Sequence, residues 1–155
     1  MNNYLPEFSH KIFEYPTELE LYQVTMDNYP QNWFENRISK REFDKKYLPK
    51  IDTPEFAYKY CKKYKVKNNS KMEKLIAKDP KISYFYASFI LEGKFELGEA
   101  VIKKDNFFSI LYADNVLKGR FELGEPVILK DRWVKQQYIE LLNSKNIPIP
   151  QEFRE

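Results

Sequence analysis

The alternation of apolar and polar positions along this chain repeats itself. From Ile82, the residues Phe85, Tyr86, Phe89 and Ile90 recur at three- and four-residue spacing, the period of an amphipathic helix. Asp79-Pro80 opens this helix as an N-cap followed by proline in the first turn. Gly93 comes after the apolar stripe and is expected to end the helix in the left-handed conformation. Phe95 and Leu97 then lead into a short second helix at 99–104, and Asp105 caps the next long helix.

The order returns 26 residues later, where SYFYASFILEGKFELGEAVIKKD (83–105) is followed by SILYADNVLKGRFELGEPVILKD (109–131). Phe108, Leu111, Tyr112 and Val116 form the second stripe, Gly119 stops it, and Pro126 suits the first turn of a short helix at 125–129. Ala87 and Ala113 share one repeat position, where two helices are expected to approach closely.

A weaker copy lies upstream. Asp52-Thr53-Pro54 opens it, Phe56, Tyr60 and Tyr64 give its stripe, and Cys61 stands at the alanine position. Glu73-Lys74-Leu75-Ile76 aligns with Glu99-Ala100-Val101-Ile102, and Ser70 with Glu73 reads as a capping box. This copy reads as 27 residues long, 52–78. Asp131 opens a half copy with Trp133, Gln137, Tyr138 and Leu141 or Leu142, ended by NSKNIPIP. The first 51 residues do not repeat. Capping boxes at Thr17/Glu20 and Ser39/Glu42 predict helices near 18–27 and 40–48, and Pro30 opens a short one carrying Trp33 and Phe34. ELELYQVT (18–25) also alternates, so a strand is the rival reading there.

The predicted fold is all-α. It is a short α-solenoid of about three and a half 26-residue helical hairpins behind a non-repeating helical N-terminal cap. The chain reads as one domain, 1–155: cap 1–51, divergent repeat 52–78, repeats 79–104 and 105–130, and a half repeat with tail at 131–155.

The pattern YA-x-x-VLKG-R-F-x-x-GE-P-x-I-x-KD resembles short tandem helical repeats of bacteriophage and some bacterial proteins. Tyr112, Ala113, Val116, Leu117, Gly119, Arg120, Phe121, Gly124, Glu125, Pro126, Ile128 and Asp131 carry the likeness, with Tyr86, Ala87, Gly93, Phe95, Gly98, Glu99, Ile102 and Asp105 in the preceding copy. It covers 79–131, about a third of the chain. The resemblance implies a phage-type helical repeat protein and supplies no catalytic residues.

Composition narrows the chemistry. Aromatics make up 17% of the chain, so rings must supply much of the buried area. A single cysteine, Cys61, rules out an internal disulfide and fits a cytoplasmic setting, the host cytoplasm in the phage reading. No run of about 18 apolar residues suggests a membrane span, and the N-terminus lacks the pattern of a signal peptide. His10 is the only histidine and has no partner at metal-ligand spacing, so no metal or other cofactor is expected. The four glycines read as repeat punctuation rather than a phosphate loop. The carboxylates form a regular series rather than one asymmetric site, so no catalytic residue is assigned.

Three sets of residues are candidates for binding. Lys94, Arg120 and Glu122 belong to a charged set repeated along one face; the structural alternative is first-turn glutamates paired with a neighbouring cation. Tyr15, Tyr29, Trp33 and Phe34 crowd the head and suit a protein-binding hot spot or a cap over the first repeat. Net charge is +3, yet residues 52–78 alone carry eight lysines against three acids. Lys62, Lys63, Lys65 and Lys67, interleaved with Tyr58, Tyr60 and Tyr64, suit RNA or DNA, or else a solvated face whose tyrosines are core. The leading expectation is a non-enzymatic repeat protein that binds a protein partner and, in the phage setting, modulates or inhibits a host protein, host defence included. The alternative is a nucleic-acid binder, and an enzyme with a Glu- or Tyr-based site ranks last.

Overall fold

The computed structural model describes residues 39–155. The elements expected at 18–27 or 18–25 and after Pro30 lie outside the described residues, as do Tyr15, Tyr29, Trp33 and Phe34. Among the described residues the chain is all-helical, without a strand.

Helix α1 (Lys40–Lys46) starts with the expected capping box. Glu42 N donates to Ser39 Oγ at 3.2 Å, and Ser39 N donates to Glu42 Oε2 at 3.1 Å. Long and short helices then alternate: α2 (Pro54–Tyr64), α3 (Ser70–Ile76), α4 (Pro80–Phe85), α5 (Glu96–Ile102), α6 (Asn106–Tyr112), α7 (Glu125–Ile128), α8 (Arg132–Ser144) and α9 (Gln151–Arg154). Each short helix packs on the long helix before it, and successive long helices pack on one another.

The long helices α4, α6 and α8 are capped by Asp79, Asp105 and Asp131, whose carboxylates accept from N–H groups of the first turn at 2.8–2.9 Å. In α2 the cap is Thr53, not Asp52. All four caps therefore stand 26 residues apart, and the first copy is no longer than the others. Asn69, not Ser70, caps α3: Met72 N donates to Asn69 Oδ1 at 3.1 Å.

The helix ends differ from expectation. Both α4 and α6 continue as wider π-turns, Tyr86–Leu91 and Ala113–Leu117. Glu92 and Lys118 then take the left-handed conformation at φ 54° and 55°, and none of the glycines has positive φ. The N–H groups of Gly93 and Gly119 reach back six residues to the Ala87 and Ala113 carbonyls at 3.0 Å. The π-turn thus fixes the left-handed position one residue before each glycine. In α2 and α8, without π-turns, Val66 and Ile147 close ordinary Schellman motifs on Cys61 and Leu142 at 2.9 Å. The wider turn also swings Phe89 partly out of the stripe, where it is 42% exposed.

Gly98 and Gly124 are needed for close approach. A Cβ at Gly98 would lie 2.3 Å from Phe95 Cδ1 and 2.9 Å from Ser83 Cβ. At Gly124 it would lie 2.5 Å from Phe121 Cδ1 and 2.7 Å from Ser109 Oγ. The phenylalanine ring folds over the glycine, and the short helix sits directly on a serine of the long one. In the first copy Asn69 replaces the ring and buried Met72 replaces the glycine, so the same space is filled from the other position.

The tail that follows α8 carries one more helix. After 145–150 the chain forms α9, and Phe153 is buried with its ring 5.1 Å from that of Tyr138. Trp133, expected in the stripe of α8, sits in its first turn and is 43% exposed.

Candidate functional site: a groove repeated at 26-residue intervals

Four buried tyrosines, Tyr60, Tyr86, Tyr112 and Tyr138, occupy one repeat position. Each hydroxyl donates to a carboxylate contributed by an earlier helix: Asp44 at 2.6 Å, Glu73 at 2.9 Å, Glu99 at 3.0 Å and Glu125 at 2.9 Å. The last three hydroxyls also accept a backbone N–H, from Asn68, Phe95 and Phe121. Each thereby ties the start of a short helix to the next long helix. Burial, with the neighbouring carboxylate adding to it, pushes the Tyr86, Tyr112 and Tyr138 hydroxyls above their ordinary range. The sequence signal for the last three clasps is a tyrosine with a glutamate 13 residues before it. The same tyrosines are also core residues, as their place in the apolar stripes predicts.

Glu73 and Glu99, the carboxylates of two clasps, line two clefts. One, of about 630 Å³, is lined by Asn68, Glu73, Leu91, Lys94, Phe95, Glu96 and Leu97. The other, of about 400 Å³, is lined by Lys94, Glu99, Leu117, Gly119, Arg120, Phe121, Glu122 and Leu123. Every residue of the first has its counterpart 26 positions on in the second, and the two share Lys94. They form one groove with a repeated lining. Leu97 and Leu123, at equivalent positions, are 48% and 53% exposed on it.

The expected set Lys94, Arg120 and Glu122 comes together here. Arg120 makes a bidentate pair with Glu125, both bonds 2.8 Å, and lies 3.5 Å from Glu122. That pairing holds its guanidinium more firmly protonated than usual. Lys94 has only looser contacts, 3.5 Å to Glu96 and 3.8 Å to Glu99. The buried carboxylates Glu99 and Glu125 are first-turn residues serving structure, as the structural alternative held. Glu96 and Glu122 are different: their side chains are 81% and 74% exposed. The groove lining therefore offers two exposed leucines, each beside an exposed glutamate, with four carboxylates against two cations overall.

The lysine-rich segment is arranged otherwise. Lys62 and Lys63 lie in the last turn of α2, Lys65 takes the left-handed position after it, and Lys67 is exposed in the following turn. Tyr58 and Tyr60 are buried, and Tyr64 packs against Phe43 and Tyr60 at 5.1 and 5.4 Å. Tyr58 and Tyr60 belong to the core, and half-buried Tyr64 packs against it. Cys61 is fully buried, and burial pushes its thiol up to about 12, which makes it a packing residue. His10 lies outside the described residues. Among those described, no group of three or more His, Cys, Asp or Glu could hold a metal ion, and no helix is long and apolar enough to cross a membrane.

No family model, curated protein or solved structure matches this chain.

Proposed function

We propose that the helix pairs form a short α-solenoid acting as a non-enzymatic scaffold, and that it binds a partner polypeptide along the repeated groove. The observation that carries this reading is the repetition of the lining itself, with Leu97 and Leu123 left half in solvent at equivalent positions. Exposed apolar surface rimmed by polar residues beside a cleft is the kind of surface that marks interaction sites. Solenoids generate such extended binding surfaces because each unit presents the same side chains one step further on. The partner is expected to place apolar side chains against Leu97 and Leu123 and basic groups against Glu96 and Glu122. In the phage setting implied by the sequence resemblance, that partner is a host protein in the cytoplasm.

The test uses a photo-crosslinking residue at position 123, with a second at Lys104, an exposed residue outside the groove lining, as control. Crosslinking in host lysate to a defined protein from position 123 only, abolished by Leu97→Asp, supports the groove. Equal crosslinking from both positions, or a partner retained by Leu97→Asp, refutes it.

A further inference from the structure

The last unit departs from the repeat in one direction. At the positions where α6 carries Asn106, Ser109 and Ile110, helix α8 carries Arg132, Lys135 and Gln136. Ser109 and Ile110 are wholly buried, whereas Gln136 is exposed. A polar outer face is what a terminal unit needs to end a stack, but solubility alone does not require one sign of charge. Here Arg132 and Lys135, one turn apart on α8, meet Lys130 and Arg154 around a cleft of about 560 Å³, with Glu155 the only acidic side chain in its lining. Lys130, Arg132 and Lys135 make no ion pair with any described residue, and Arg154 is held in place by its Nε bond to the Ile149 carbonyl at 3.0 Å. The floor is apolar, formed by half-buried Leu129 and Ile139. Ile139 itself replaces the alanine that Ala87 and Ala113 place where long helices meet.

We propose that this cleft is a second binding site, which takes an acidic segment of a partner protein. Its carboxylates would sit on the four cations and one apolar side chain over Leu129 and Ile139. Cations without acidic partners lose little on meeting a carboxylate, and charge-assisted bonds are the strong ones. A nucleic acid is the poorer fit. Its backbone needs a track of cations rather than a ring around one cleft, and Phe153 is only 2% exposed, so the lining offers no ring for a base to stack on. The site is separate from the groove, which carries an excess of carboxylates.

The experiment is fluorescence anisotropy with the full chain and three labelled probes. These are a peptide of about a dozen residues alternating Glu and Leu, the same peptide with Lys for Glu, and a single-stranded DNA of mixed sequence, at about 0.1 M salt where screening acts beyond about 10 Å. The acidic peptide is expected to bind at this cleft, whereas the basic one is expected only at the Leu97/Leu123 groove and should be unaffected by changes at Arg132 and Lys135. Arg132→Glu with Lys135→Glu should weaken the acidic peptide at least about tenfold, and Lys65→Glu with Lys67→Glu should change it less than about twofold. Arg132, Lys65 and Lys67 are exposed and Lys135 is half-buried at the cleft, and unchanged thermal melts confirm that the variants fold. No binding of the acidic peptide, equal loss in both double variants, or tighter binding of the DNA through Arg132 and Lys135 would each overturn the assignment.

Discussion

Replacing Gly124 with alanine is the sharpest test of how the helices pack. The added Cβ would stand 2.5 Å from Phe121 Cδ1, 2.7 Å from Ser109 Oγ and 2.8 Å from Ser109 Cβ. Those contacts lie well inside van der Waals distance, so the segment ending at Gly124 must lift off α6 or Phe121 must leave its rotamer. Overpacking of this kind costs about 1–3 kcal/mol. Displacement also threatens the Ser109 Oγ bond to the Ile102 carbonyl at 2.9 Å, worth about 1 kcal/mol. Against this, alanine is favoured over glycine in a helix by about 0.5–1 kcal/mol. The net expectation is a loss of about 1–3.5 kcal/mol, or a urea midpoint lower by about 0.5–2 M at typical slopes. Gly98→Ala should behave alike. Gly93→Ala and Gly119→Ala are the controls: neither glycine has positive φ, and the nearest atoms to an added Cβ are 4.0 and 3.5 Å away. These should be neutral or gain up to about 1 kcal/mol by stiffening the unfolded chain. Urea unfolding followed by circular dichroism measures all four. If Gly124→Ala stays within about 0.5 kcal/mol of the parent, or Gly119→Ala loses as much, the close-approach argument fails.

The tyrosine clasps and the groove cations give further expectations. Tyr112→Phe should destabilise more than Tyr138→Phe, by about 1 kcal/mol in paired melts, because the carboxylate it abandons, Glu99, has only Lys94 at 3.8 Å whereas Glu125 keeps Arg120; equal losses would mean the cation is irrelevant. Lys94→Arg should import the bidentate geometry of Arg120 and add about 0.5–1 kcal/mol, while Arg120→Lys should lose at least that; no change in either melting temperature would count against it. Alkaline unfolding should be steep. Tyr86, Tyr112 and Tyr138 hold their protons above the ordinary value of 10.0 when folded. Their contribution is therefore complete below about pH 10 and is lost as pH rises, at about 1.4 kcal/mol per unit for each. Tyrosinate absorbance should rise in step with loss of helix; those tyrosines titrating while helix content is unchanged would contradict the burial argument.

The sequence by itself determined the helical class, the aspartate caps of the later long helices and the 26-residue period of the two clear copies. Asp79, Asp105 and Asp131 cap, and Tyr86 and Tyr112 point inward, because capping and a 3.6-residue stripe are local properties that survive in any helical packing. It also brought Lys94, Arg120 and Glu122 to one face, since a fixed repeat places equivalent residues equivalently. What it left open depended on contacts between units. Gly98 and Gly124 look like Gly93 and Gly119 along the chain. Only the seating of a short helix on Ser83 or Ser109 makes the first two indispensable, and only the π-turns move the left-handed residue to Glu92 and Lys118. Likewise the carboxylates of Glu99 and Glu125 and those of Glu96 and Glu122 are three residues apart on the same helices or turns. Tertiary structure buries one pair against tyrosines and leaves the other at the rim, because the next long helix covers one side of each short helix and leaves the other open.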